Sequence, residues 1–457
     1  MSSWSRAAEL AAHTPTSRNR YVDFLRAVSI LAVVFGHWLM AAPQMVGGEL
    51  QVQHLLVVAP WTQVATWVLQ VMPVFFVVGG YANAASWESA SRAGTGYPDW
   101  LRSRMGRLVI PVLPLVAFWG VLAVAAGRVG VDPYLIRVGS VNALVALWFL
   151  AVYVLAVALV PVTRAAWRRF GIWSFWALVA VAAFVDWAAL SGWLPDAGWA
   201  NYLFIWVAVH QLGYLWRDGG LAGTRRALSW AALGAVAIAL LVNLGPYPSS
   251  MVDVPGSEAS NSAPPTLVLL ALGILQTGLL ATFEPAVNRW LQRRRLWTAT
   301  VLVNGMIMTV FVWHLTAMIL VLGLALLAGG IGLSIEPAGA IWWLTRPLWM
   351  GVYAVALAAA AVPFARFEKS RFTPGARPVP TWRAVAGTVS VCAGLGMLAY
   401  GGIWSEAWPG VNLPAAGLPF GGAALIGVLR RPDRVPVSRS AGHPPTSGDG
   451  GDGARAS

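Results

Sequence analysis

Long apolar runs alternate with short polar connections along almost the whole chain. The runs fall near residues 24–42, 64–85, 108–126, 143–161, 172–190, 200–216, 227–245, 266–283, 299–327, 347–364, 384–403 and 412–428. Most have the ~17 to 25 residues that a helix needs to cross a ~30 Å hydrocarbon core. In hydrocarbon, backbone N–H and C=O groups must be satisfied within their own segment, so such runs fold as helices. The pattern predicts an all-α fold, a polytopic transmembrane helix bundle of about twelve spans. Its weakest member is the last, interrupted by Pro414, Pro419 and several glycines.

Composition agrees: 58% of the 457 residues are hydrophobic and 11% charged, with a mean hydropathy of +0.65. That excludes a soluble globular domain. The net charge of +13 would suggest nucleic acid in another setting, but its distribution gives a different meaning. Twenty-seven of the 31 Lys and Arg residues fall in alternate connections and the two tails. The opposite connections hold only Arg128, Arg137 and Arg346, and Arg26 lies inside the first run. This bias marks the basic side as cytoplasmic and predicts both termini there. The tail arginines from Arg430 onward favour twelve spans over eleven. No small-residue cleavage site follows the first run, so it is expected to be retained. Tryptophans near predicted span ends, such as Trp61, Trp87, Trp193 and Trp199, fit interfacial anchoring. The single cysteine, Cys392, supports neither an internal disulfide nor a metal cluster. Residues 430–457, rich in Pro, Gly and Ser, are expected to be disordered.

Against this background a few ionisable residues stand out. Arg26 and His37 are eleven positions apart, about 16 Å and three turns on a helix, so they share one face. Asp23, three residues before Arg26, can pair with it. Arg26 sits close enough to the basic side to snorkel to the headgroups without any ligand. His37 lies well past the midpoint and must face a cavity or a partner helix. Asp23 is about 21 Å from it, too far to orient the imidazole, so another group must do so. His314 is a second deep histidine, at comparable depth when counted from a start near Ala299. Asp186 and His210 read as packing or hydrogen-bonding residues, and Glu284, before Pro285 at a span end, as an interface residue. Neither a Gly-x-Ser-x-Gly elbow nor a His-Glu-x-x-His motif is present, so serine-hydrolase and zinc-protease chemistry lack support, and no metal site is expected.

The stretch YVDFLRAVSILAVVFGHWLM, Tyr21 to Met40, resembles the first helix of the acyltransferase-3 family of membrane O-acyltransferases, with its arginine, ten residues, then histidine. MPVFFVVGGY from Met72, WLRSRMGRLVIPVLP from Trp100 with its Arg-x-x-Arg as Arg104 and Arg107, and LWFLAVYVL from Leu147 resemble later motifs of the family. One departure is visible: Gly79 and Gly80 stand where the family commonly has Ser-Gly. The resemblance covers about ten spans. It implies a cytoplasmic tail over 1–20, an acyltransferase-like membrane domain over 21–365, one or two additional C-terminal spans over 366–429, and a tail over 430–457.

It also implies a function. Acyl-CoA, with acetyl-CoA as the expected donor, would give its acyl group to a hydroxyl of a glycan, glycolipid or secondary metabolite in a bacterial plasma membrane. His37 is the expected general base; Arg26, about 16 Å away, and His314, at a depth where it could face the same cavity, complete the expected catalytic set. Arg104, Arg107 and Arg102 are the expected contacts to the CoA phosphates, which guanidinium forks suit. The positive-inside rule alone would also account for those three arginines. A different class also fits the deep residues: a twelve-span secondary transporter with Arg26, His37 and His314 lining its path.

Overall fold

The computed structural model describes residues 3–15, 18–368 and 379–429, so the tail from Arg430 lies outside the described residues. Among them, nine helices are long and apolar enough to cross a membrane. A tenth span is the pair Tyr97–Val109 and Leu113–Arg128, bent by 44°. The bend falls at Pro111 and Pro114, which lack the N–H that would continue the helix. The two remaining predicted spans form shorter helices. Asn201–Arg217 has 17 residues and lies in the middle of the bundle, with Ile205 to Trp216 buried without interruption. A helix enclosed by protein on all sides needs no lipid-facing side, and its buried polar groups can pair with neighbouring helices. Leu413–Ile426 has 14 residues and packs along Thr381–Gly401. There Gly387 and Gly422 admit each other's backbone, the small-residue packing typical of membrane helices.

Three further differences bear on the site. The run 299–327 is not one helix: Arg294–Asn304 stops at Gly305, and the span proper is Ile307–Leu327. The broken end is satisfied from elsewhere, because the Glu368 carboxylate accepts the Met308 N–H at 3.0 Å, the Thr309 N–H at 3.2 Å and the Thr309 hydroxyl at 2.8 Å. That is an acidic cap on a helix N-terminus, supplied by a different helix. After His37 the chain forms a hairpin, Ala41–Val46 with Glu49–His54, where a plain connection was expected. Its two-residue turn uses Gly47 and Gly48, at φ +60° and +88°, as such tight turns demand. Finally, the segment expected as an N-terminal tail includes a helix, Ser3–Ala12, lying on Arg294–Asn304.

The C-terminal helix pair packs on the bundle beside Leu147–Ala158. Cys392 Sγ donates to the Ala151 carbonyl at 3.3 Å. Near the basic end, Arg164 crosslinks three segments. Its guanidinium reaches Asp218 at 2.6 and 2.9 Å and Glu88 at 2.7 Å, while Arg217 meets the other oxygen of Glu88 at 2.8 Å. Burial alone would raise the Asp218 carboxyl, but the Arg164 fork and the Trp167 N–H outweigh it and hold it below its ordinary value.

Candidate active site

His37 lies one turn from the end of Arg20–Met40, and His314 on Ile307–Leu327 faces it. His37 Nδ1 and His314 Nε2 are 2.8 Å apart. The rings are nearly parallel, at 8°, with centroids 5.1 Å apart. Adding two ring radii to the N···N distance accounts for that separation, so the rings meet edge to edge in a head-on hydrogen bond rather than by stacking.

The direction of the bond follows from its far end. His314 Nδ1 lies 2.5 Å from the Phe311 carbonyl oxygen, which can only accept. In the neutral pair His314 therefore carries its proton on Nδ1 and offers the Nε2 lone pair, and His37 must donate to it from Nδ1. This leaves His37 Nε2 unprotonated, with its lone pair free. The His314 side chain is fully buried, whereas His37 keeps partial access. The Trp38 indole N–H donates to the His314 carbonyl at 3.0 Å and locks the two helices in register.

Asp23 engages Arg18 at 2.5 Å, and Arg26 stands farther away at 3.9 Å. The expected Asp23–Arg26 pair is thus the weaker of two, because the chain just before the helix folds Arg18 back onto the carboxylate. This leaves the Arg26 side chain 37% exposed and its fork largely uncommitted.

Arg104 and Arg107 separate in environment. Arg107 is exposed, while Arg104 turns inward and donates to Asn83 Oδ1. With its oxygen so occupied, Asn83 turns its amide nitrogen to Tyr153 Oη at 3.3 Å and His210 Nε2 at 3.2 Å. Arg26 and Arg107 each lie near enough to Arg104 to repel it through space. Arg102 is not part of that group. It is buried on the other face of its helix, with Nε about a van der Waals contact from where a Gly427 side chain would begin. Two positions along a helix is roughly 200°, so Arg102 and Arg104 point apart.

The glycine pair becomes intelligible here. A Cβ on Gly79 would stand 2.8 Å from the Tyr153 hydroxyl oxygen and 2.6 Å from its ring. Tyr153 thus brings a hydroxyl to the place where a serine at position 79 would have put one, and leaves no room for that serine. A Cβ on Gly80 would strike the His210 carbonyl and the Gly213 backbone. The helix Met72–Arg92 can approach Asn201–Arg217 this closely because neither Gly80 nor Gly213 has a side chain.

The other polar residues are tied into the frame. Asp186 accepts from Asn201 at 2.7 Å, from Tyr247 at 3.1 Å and from the Leu267 N–H at 2.8 Å. Glu284 accepts from Asn19 at 2.9 Å and from the Trp216 indole at 2.7 Å. Among the described residues, no three His, Cys, Asp or Glu side chains converge to hold a metal ion. The sequence does not single out Asn83, Tyr153 and Glu368, because lone polar residues in or beside apolar runs carry no motif. A family model described as an acyltransferase domain matches residues 19–366. Neither a curated protein nor a solved structure matches the chain.

Proposed function

The chain belongs to the acyltransferase-3 family, and on that premise we propose that it moves an acyl group, acetyl above all, from acyl-CoA to a hydroxyl of a glycan, glycolipid or secondary metabolite, with His37 as the base. The supporting observation is the hydrogen-bond relay from the Phe311 carbonyl through His314 to His37, which leaves one imidazole nitrogen basic and oriented. The acceptor O–H gives its proton to His37 Nε2 as its oxygen attacks the thioester carbonyl. The new C–O bond forms, the C–S bond breaks, and the sulfur leaves with the electron pair and takes the proton from Nε2. While His37 is protonated, His314 Nε2 accepts from Nδ1–H and shares the charge. His314 is therefore a positioning residue.

Arg26 and Arg107 offer permanent charge at the arginine-rich end of the bundle, with Arg104 behind them. The ~16 Å between Arg26 and His37 suits a donor whose phosphates and thioester lie at opposite ends of an extended pantetheine arm. Arg102 faces the C-terminal helices and would act only through them. We place the enzyme in a bacterial plasma membrane with both termini cytoplasmic, on the asymmetry of the arginines. The 19–366 segment carries the chemistry, and the C-terminal pair braces it.

The test uses the full chain in lipid nanodiscs with acetyl-CoA and a panel of hydroxylated acceptors, following free CoA thiol. His37→Ala should abolish acceptor-dependent release while keeping the wild-type melting temperature. Unchanged release in that variant removes His37 from the mechanism.

A further inference from the structure

At the arginine-poor end, one charged residue has no assigned role. Arg346, which the charge pattern places in a connection, lies inside the helix Ala340–Glu368 and is only 7% exposed. Among the described residues no carboxylate stands within ion-pair distance of it, and neither Nε nor Nη1 has a hydrogen-bond partner. The guanidinium is stacked 4.1 Å over the Trp342 ring and lies 6.0 Å from Trp349. Trp342 is itself buried, packed in a cluster with Ala42, Leu55 and Ala59 of the segment that follows His37.

A buried charge is costly unless it is paired, and stacking on indole offsets only part of that cost. Side chains on a helix lean toward its N-terminus, which here is the outer end. Of the three nitrogens only Nη2 is not fully enclosed, so a ligand would reach the guanidinium through that corner. Beside Trp342, Trp343 and the exposed Trp61 lie 6.1 Å apart. Inward, Trp349 packs on Tyr353 at 5.7 Å and Tyr353 on Trp38 at 5.6 Å, and Trp38 holds the His314 carbonyl. The unsatisfied fork is thus joined by aromatic rings to the histidine pair.

We propose that Arg346 binds an oxyanion of the acceptor, a carboxylate or phosphate, while the neighbouring indoles take the apolar face of a sugar. The acceptor is then an anionic glycan or phosphate-linked sugar that enters from the arginine-poor side. Its being an acceptor rests on the acyl transfer proposed above; the anion site itself does not. An oxyanion at Nη2 would supply the counter-charge that the buried guanidinium lacks, which a neutral sugar cannot.

The test measures binding without acyl-CoA, so it stands apart from any failure of the transfer reaction. Full-length protein in phosphatidylcholine nanodiscs is titrated with glucuronate, with inorganic phosphate and with glucose, and thermal unfolding and calorimetry are followed. Glucuronate or phosphate should raise the wild-type melting temperature, and glucose at equal concentration should not. Arg346→Met should weaken that binding at least about tenfold, and its melting temperature without anion should equal or exceed wild type because an unpaired buried charge is gone. Arg346→Lys, which keeps the charge without the fork, should fold and bind glucuronate more weakly; unaltered affinity in it counts against the site. Equal responses to glucuronate and glucose, or an anion response that persists in Arg346→Met, overturn the proposal. A response seen only when phosphatidylglycerol is added to the nanodisc assigns the fork to a lipid headgroup and overturns the acceptor reading.

Discussion

His314 offers the sharpest perturbation, because its two ring nitrogens do different jobs. Nδ1 anchors the residue to Phe311, and Nε2 accepts the hydrogen bond from His37 Nδ1–H that fixes the His37 ring. Asparagine places its terminal atoms near the position of Nδ1, and glutamine near that of Nε2. His314→Asn should therefore keep the anchor and lose the His37 contact, whereas His314→Gln should still accept from His37 Nδ1. A neutral hydrogen bond contributes about 1 kcal/mol net, so its loss alone costs roughly fivefold in the population of the reactive tautomer. Freeing the ring to shift by ~1 Å can cost ~10²-fold more in rate. We expect kcat to fall about 10²-fold or more in His314→Asn and to stay within roughly tenfold in His314→Gln, with KM for acyl-CoA unchanged in both. The assay is acceptor-dependent CoA release under saturating acyl-CoA, beside melting temperatures. Equal losses in the two variants, or a change confined to KM, would refute the relay and leave His314 a packing residue.

Other outcomes follow from the same structure. Arg107 is exposed, so Arg107→Gln should weaken CoA binding by roughly tenfold while altering stability by less than about 0.5 kcal/mol; equal CoA affinity by calorimetry removes it from the phosphate site. Gly80→Ala forces a methyl group against the His210 carbonyl and should destabilise by about 3 kcal/mol, whereas Gly323→Ala, with nothing within 4 Å, should be neutral or stabilising in denaturant unfolding. The Asp218 carboxyl is held below its ordinary value, so its stabilisation is present above the unfolded-state value, about pH 3.9, and is lost as pH falls through the lower folded-state value. A melting curve taken against pH should lose that acid-side component in Asp218→Asn, and an unchanged profile would contradict the Arg164 pairing.

The faces of individual helices are legible in the sequence alone. Arg26 and His37 share a face because both lie on one helix, and their spacing is a property of that helix. The opposed directions of Arg102 and Arg104 follow from the same arithmetic, though their proximity along the chain suggests a common ligand. The Gly47-Gly48 turn is also visible, but it lies in a segment whose length suits a plain connection. Other features have no local signature. Gly79 signals close approach without saying to what, and the answer, Tyr153, comes from a helix more than seventy residues away. Charge counting sets Arg346 in a connection because it marks sides of a membrane, not the register at which a helix begins.

The sequence by itself determined an all-helical membrane bundle, the asymmetry of its two ends and the family to which the chain is similar. These follow from segment length, from the need to satisfy the backbone within each segment, and from where arginine is tolerated. Only the tertiary structure decided that His314 meets His37 across 277 positions, that Glu368 caps the helix bearing His314, and that Arg346 is buried with no carboxylate against it among the described residues. Inside a bilayer, helix association is set by close packing and hydrogen bonds between helices. Those contacts depend on which side chains fit together, and no periodicity within a single helix encodes them.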